Sequence, residues 1–291
     1  MRWLLLVVVM FVALRPDRAR ACATCGAGDP AAQIAGAEQP FAGRVRLVGV
    51  LLHTSYADGD ATVFDQRALL GGSIAIDDVA LFAVTLPLVW RESFDASLAH
   101  DTSFGVGDLD LRLRVTLLRD RAFAPEHRLL LEIGSRVPSA PALTRGDGRI
   151  APLASQTGTG AFEPLLGLSW LASIRETQLL LSLQGAFPTT GFGGWRNGPA
   201  LRSSAALQWQ PIPELALRAT LDARLEGPSG RGQELSGESF VLHAGGGIVV
   251  APSSDVVLHL VVRVPALQVL DTAHRARADG VTVEAGVGLD V

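Results

Sequence analysis

The chain closes on Val281-Thr282-Val283-Glu284-Ala285-Gly286-Val287-Gly288-Leu289-Asp290-Val291, eleven residues in which aliphatic side chains alternate with polar ones and glycine. Successive side chains of an extended strand point to opposite faces. Val281, Val283, Ala285, Val287, Leu289 and Val291 therefore share one face, while Thr282, Glu284 and Asp290 share the other. Two interior stretches repeat the arrangement. Residues 108–118 oppose Leu109, Leu111, Leu113, Val115 and Leu117 to Asp108, Asp110, Arg112, Arg114 and Thr116. Residues 214–225 oppose Leu215, Leu217, Ala219, Leu221, Ala223 and Leu225 to Glu214, Ala216, Arg218, Thr220, Asp222 and Arg224. A helix would spread these charges around its circumference, whereas a strand sorts them onto one side.

Extending the period-two reading outward gives twelve candidate strands: 43–55, 66–76, 79–91, 108–118, 127–136, 162–171, 178–187, 201–210, 214–225, 240–250, 256–264 and 281–291. Their lengths lie near the roughly 9–11 residues that carry a tilted strand across hydrocarbon. The connections alternate. Short ones fall at Asp77-Asp78, Ser173 to Thr177, Pro211 to Pro213 and Ala251 to Asp255, with a moderate one from Arg119 to Glu126. Long ones fall at 56–65, 92–107, 137–161, 188–200, 226–239 and 265–280. An even-stranded barrel with both termini in the periplasm has short turns at one end and longer loops at the other. A soluble sandwich gives no reason for that alternation. The expected fold is thus all-β, a twelve-stranded antiparallel transmembrane β-barrel of up-and-down meander type in the outer membrane of a Gram-negative bacterium. Closure follows because backbone groups in hydrocarbon must all be paired.

The faces suit the environments. The outward face is aliphatic, with Trp90, Trp170 and Trp209 near strand ends, where an indole holds its ring in the lipid interface and its N–H near water. The inward face gathers Arg44, Arg46, Arg112, Arg114, Arg202, Arg218, Arg224 and Arg263 with Asp108, Asp110, Glu132, Asp222, Glu284 and Asp290. These are the candidate lumen and selectivity residues, together with His243 and His259, which fall on the inward faces of adjacent strands as candidate neighbours. Ordinary lumen polarity accounts for the two histidines; a proton-sensitive pair is the alternative.

Composition agrees. Charged residues make up 19% of the 291, below the roughly 25% of a soluble domain. Every basic residue is arginine, and the formal charge is −4. Nothing gathers the arginines into a stripe, which argues against a nucleic-acid partner. At the start, Arg2, the apolar run Trp3 to Leu14 and Ala19-Arg20-Ala21 form a signal-peptide pattern, with cleavage expected before Cys22. Removing residues 1–21 takes the charge to −7, because Arg2, Arg15, Arg18, Arg20 and Asp17 leave with them. The expected organisation is a signal peptide over 1–21, a periplasmic leader over 22–42 and a barrel over 43–291. The apolar run is too short to span a bilayer as a helix, and no later run is long enough.

Four stretches resemble a known family: Val84-Thr-Leu-Pro-Leu-Val-Trp-Arg91, Gly105-Val-Gly-Asp-Leu-Asp-Leu-Arg-Leu-Arg-Val115, Gly158-Thr-Gly-Ala-Phe-Glu-Pro-Leu-Leu-Gly-Leu-Ser-Trp170 and Val262-Arg-Val-Pro-Ala-Leu-Gln-Val-Leu-Asp271. In order and spacing they are similar to the outer-membrane transporter family named after the meta-cleavage pathway of phenol degradation, over most of residues 41–291. The resemblance implies a channel or uptake role; it does not imply phenol chemistry. The leader Cys22-Ala-Thr-Cys25-Gly-Ala-Gly-Asp29-Pro30 resembles leaders of some barrels of this kind. Its cysteines are the only two in the chain, and an oxidising periplasm favours a disulfide between them. Thiol exchange, capture of a soft ion such as Cu(I), and lipidation at Cys22 stand as alternatives. The chain ends in Val291 where barrels usually present an aromatic residue to the barrel assembly machinery.

Enzymatic chemistry finds no footing. No serine lies in a Gly-x-Ser-x-Gly elbow, and strand counting brings no serine, histidine and acid together. The acids Asp108 and Asp110 sit beside Arg112 and Arg114, which keep a carboxylate ionised and poor as a general acid. Gly191 to Gly194 and Gly227 to Gly232 precede no helix and read as outer loops, not phosphate loops. No cofactor or metal is expected, with capture of a soft ion at Cys22 and Cys25 as the alternative. The expected function is passage of small solutes through a lumen lined by arginine, aspartate and glutamate. A closed barrel acting as a structural or interaction module, meeting a periplasmic partner through its leader, is the alternative. Expected surroundings are outer-membrane lipid and lipopolysaccharide.

Overall fold

A computed structural model describes residues 45–291 apart from 59–60, 78, 95–99, 123–124, 145, 147, 152–154, 232–233, 237 and 271–277. Residues 1–44, and with them the signal peptide, the leader, Cys22, Cys25 and Arg44, lie outside the described residues.

Twelve antiparallel strands form the wall. They are β1 (Val45–Asp58), β2 (Ala61–Ala75), β3 (Ala80–Phe94), β4 in two pieces (His100–Val106 and Leu109–Arg119), β5 (His127–Val137), β6 (Glu163–Ile174), β7 (Thr177–Ala186), β8 (Ala200–Ile212), β9 (Leu215–Glu226), β10 (Ser239–Ser253), β11 (Val256–Leu270) and β12 (Ala278–Asp290). Each pairs with the next in sequence, and β12 returns to β1 with Arg46 opposite Asp290 and Leu52 opposite Glu284. That last ladder leaves no edge strand, so the sheet is a closed barrel. Main-chain bonds between Val45 and Val291 finish the seam.

The strands run further toward the loop end than the sequence pattern suggests. The connection expected over 56–65 shrinks to residues 59–60, and the one expected over 265–280 shrinks to 271–277. The reason is that inward polar residues such as Asp65 and Asp279 continue the period-two pattern where polarity alone reads as loop. The alternation of short and long connections holds from β5 onward, where β6–β7, β8–β9 and β10–β11 turn over two residues each while β5 and β6 are joined by residues 138–162. Between β1 and β5 the loop-end connections, 59–60 and 95–99, are together no longer than the terminal-end ones, 76–79 and 120–126.

The interruption in β4 has a specific cause. Leu88–Phe94 of β3 pair with the first piece and Ala80–Thr85 with the second, so both pieces follow one neighbour. Between them stands Pro87, which has no N–H to give to a ladder. Its carbonyl accepts from Gly107 N at 2.7 Å, and β4 kinks there, leaving Gly107 and Asp108 outside the strand. A side chain at Gly107 would meet Pro87 and Thr157, so only glycine allows the approach.

Burial is inverted relative to a soluble protein. Leu51, Leu70, Leu166, Leu183, Leu207, Leu221 and Val269 lie exposed on the outside, while Asp65, Asp110, Arg112, Glu132, Arg218, Arg263 and Glu284 are buried inside. In water this exterior would be an aggregation surface far larger than a monomer tolerates; against acyl chains it is the required one. Trp90, Trp170 and Trp209 all stand on the exposed face, with Trp170 stacked on His127 near the terminal end. At the loop end the rings of His53, Phe64, Phe94 and His100 contact in series across β1 to β4, an outer aromatic row. The barrel is an outer-membrane β-barrel. Among the described residues no helix is long and apolar enough to cross a membrane.

Candidate functional site

The wall of the lumen is a set of ion pairs, and glycine sets which ones form. On β4 and β5, Arg112 binds Asp110 through Nε at 2.7 Å and Glu132 through Nη1 at 2.9 Å, and Arg114 holds the other Glu132 oxygen at 2.7 Å. Gln184 of β7 reaches Glu132 at 2.6 Å, although β6 lies between the two strands. Gly167 of β6 lies under this crossing, where a Cβ would come within 3.6 Å of the stems of Glu132 and Gln184. On the opposite wall, Arg263 of β11 crosses β10 to reach Asp222 of β9 at 3.1 Å and also holds Glu284 of β12 at 2.7 Å. Gly245 of β10 leaves the room: a Cβ there would stand 2.8 Å from Arg263 Cγ. Bare backbone beneath them lets long side chains meet over an intervening strand.

Most candidates named from the sequence therefore line the interior as neighbours of one another. Arg46 makes a two-pronged contact with Asp290 at the terminal end, with Nη2 to Oδ2 at 2.7 Å. Arg218 donates to Gln208. Arg202 stands on β8 opposite Gln184 and Arg224. Arg224 reaches Asp279 at 2.9 Å and Glu226 at 3.1 Å. The two histidines are not neighbours. The register sets His243 opposite Pro265 and His259 opposite Val249, so six residues of regular ladder separate them. Each faces its own acid: His259 Nε2 lies 3.0 Å from Glu284, and His243 lies 3.7 Å from Asp279.

Asp108 has a different employment from the other wall acids. Freed from the strand by the kink at Pro87, its carboxylate accepts from Thr159 N at 2.6 Å, Thr159 Oγ1 at 2.9 Å and Ala140 N at 3.3 Å. These bonds hold both arms of the 138–162 connection against the loop-end half of β4. Gln156 is deeply buried and ties the connection together through Leu143 and Ala151, while Arg91 of β3 donates to its main-chain oxygen at 2.8 Å. Thr157 bonds the Val106 carbonyl. Residues 155–160 thus cover the inner side of β3 and β4 and narrow the mouth there. Gly191, in the next long connection, lies against Thr159 and braces the same segment.

Sequence reading missed a further cluster. Asp65 of β2 takes a two-pronged contact from Arg67, at 2.8 and 2.9 Å, and a second from Arg91, at 3.1 and 2.6 Å. Arg136 with Glu163 at 3.1 Å, and Asp279, also escaped notice. All fall at the ends of the expected strands or in the connections between them, although Arg67 stands at mid-strand in the structure; Asp65-x-Arg67 on the inward phase is the available signal. Carboxylates locked between guanidiniums by several short bonds suit scaffolding of the wall. Among the described residues, no group of three or more His, Cys, Asp or Glu stands where it could hold a metal ion.

No protein-family profile matches the chain, and no functionally curated protein matches it. Among solved structures the chain is similar to an outer membrane channel from Pseudomonas putida F1, with a TM-score of 0.73 and 13% identity over 91% of this chain and 100% of that one. It is also matched to the translocator domain of the autotransporter NalP from Neisseria meningitidis, with a TM-score of 0.49 and 14% identity over 89% of this chain and 91% of that one. The first likeness bears on the fold: the chain shares the architecture of a known bacterial outer-membrane barrel.

Proposed function

We propose that the protein is an outer-membrane channel for small polar solutes, with an ion-paired wall and a mouth narrowed by residues 155–160. The observation that carries this reading is the wall itself. A barrel needs only filled volume to be stable, yet here arginines and acids face inward at every level from Arg46 and Asp290 to Arg136 and Glu163. Burying charges is costly and their mutual attraction offsets the cost only in part. Such a lining is expected where water and solutes pass. In this reading the terminal end faces the periplasm, residues 1–21 direct export and are removed, and residues 22–42 form a periplasmic leader whose Cys22 and Cys25 join as a disulfide. The four motifs support reading the chain as a distant relative of the transporter family it resembles. Three of them meet at one point, since Pro87, Asp108 and Thr159 touch around the kink in β4.

A second reading draws on packing. Several inward side chains, Glu284, Val63, Val241 and Val261 among them, are shut off from water, as in a plugged barrel serving as a structural or interaction module. Single-channel recording of the folded protein in planar bilayers separates the two. Discrete conductance steps are expected; silence from correctly folded protein sinks the channel and leaves the closed module.

A further inference from the structure

Three wall pairs expose the arginine well beyond its acid. In the Arg67–Asp65 pair the arginine side chain is 38% exposed and the carboxylate 3%. In Arg136–Glu163 the values are 26% and 7%, and in Arg224–Asp279 they are 22% and 3%. In these three the acid lies against the wall and the guanidinium over it, toward the water of the lumen, whereas on β4 and β5 Arg112 is more enclosed than Asp110 and Glu132. Arg263–Asp222 runs the other way, at 7% and 22%, and Glu226 is more open than Arg224 at the loop-end rim. Asp65, moreover, is shared between two arginines, so that cluster carries a net positive charge. Arg67 stands midway along β2, opposite Leu52 and Val89, at the level of Glu284.

From this arrangement we infer that the channel selects small anions, carboxylates included, and that Arg67 is the main selectivity group. The inference rests on the channel reading given above. A solute passing the middle of the barrel meets the open face of the Arg67 guanidinium, while the compensating carboxylate is behind it. A charge about 4 Å away in bulk-like water enriches the opposite sign roughly fivefold and depletes its own sign by a like factor, a contrast that salt screening and the carboxylate of Asp65 reduce to about fivefold overall. A guanidinium also matches a carboxylate through parallel N–H donors, which an ammonium does not. Arg91 continues to hold Asp65 when Arg67 is changed, so the substitution need not leave a buried charge alone.

The test is the reversal potential of the full-length protein in planar bilayers under a potassium chloride gradient, repeated with potassium acetate. Anion permeability exceeding that of potassium about fivefold in both salts is expected. Arg67→Gln should bring the ratio near one, whereas Arg67→Lys, which keeps the charge, should retain most of the preference. Open channels that favour potassium, or whose preference survives Arg67→Gln, overturn the inference and leave the channel reading standing. Chloride preference with acetate excluded overturns the carboxylate assignment. Silence of folded protein overturns the channel reading and the inference with it.

Discussion

Replacing Asp108 with alanine should release the 138–162 connection while leaving the barrel closed. The carboxylate accepts two short bonds from Thr159 and a longer one from Ala140. Hydrogen bonds to a charged group contribute about 1.5–3 kcal/mol each. Alanine also removes the cost of burying a carboxylate, so the lower bound for the two Thr159 bonds is the appropriate figure, about 3 kcal/mol. That corresponds to roughly a hundredfold rise in the undocked population. Hydrogen exchange at the Thr159 amide reads it directly, because that N–H is itself one of the donors. Exchange in Asp108→Ala should accelerate about a hundredfold, Asp108→Asn should fall between, and amides in β11 such as Leu260 should not change. If Thr159 exchanges at the parental rate in Asp108→Ala with the strands still protected, the carboxylate does not hold the loop and the account of the narrowed mouth is wrong.

Gly245→Val should force the Arg263 stem off Asp222 by filling the space 2.8 Å from its Cγ; overpacking of this kind costs about 1–3 kcal/mol, measurable as a lowered urea midpoint for unfolding from lipid vesicles. Leu221→Arg places a charge on the exposed middle of β9 and should destabilise the membrane-inserted barrel by about 2–4 kcal/mol; an unchanged midpoint would mean that this face does not meet lipid. At the β4–β5 turn, the His127 amide donates to the Asp120 carboxylate at 3.1 Å, and this bond lowers the Asp120 pKa below the ordinary aspartate value. A depressed pKa means that stability is present above the unfolded-state pKa and is lost as pH falls through the folded-state one. Acid unfolding of Asp120→Asn should therefore be less steep than that of the parent, and an identical acid limb in the two proteins would remove Asp120 from the account.

Much of the fold was legible because alternation is a local property. Leu109, Leu111 and Leu113 against Asp110, Arg112 and Arg114 can be sorted into faces without knowing any neighbour, and the structure keeps both sets together. The candidate site was legible only as a list. Arg112, Glu132, Arg263 and Glu284 were recognised as inward, yet the Arg67–Asp65–Arg91 cluster was overlooked at strand ends and Asp108 was grouped with the lining acids it does not resemble. His243 and His259, candidate neighbours by their shared inward phase, stand six residues apart along the ladder, a register that the sequence pattern does not encode.

From the sequence alone came the number of crossings and the division of strands such as Leu109–Arg119 into a charged and an aliphatic face, since both depend on residues adjacent in the chain. Which charge meets which was decided by closure and register. Arg224 finds Asp279 and Arg263 finds Asp222 across intervening strands because interstrand hydrogen bonding sets their heights, and for Arg263 the bare backbone of Gly245 leaves the space. Arg46 and Asp290, 244 residues apart, become neighbours only once the last strand has paired with the first, and no local pattern encodes that distance.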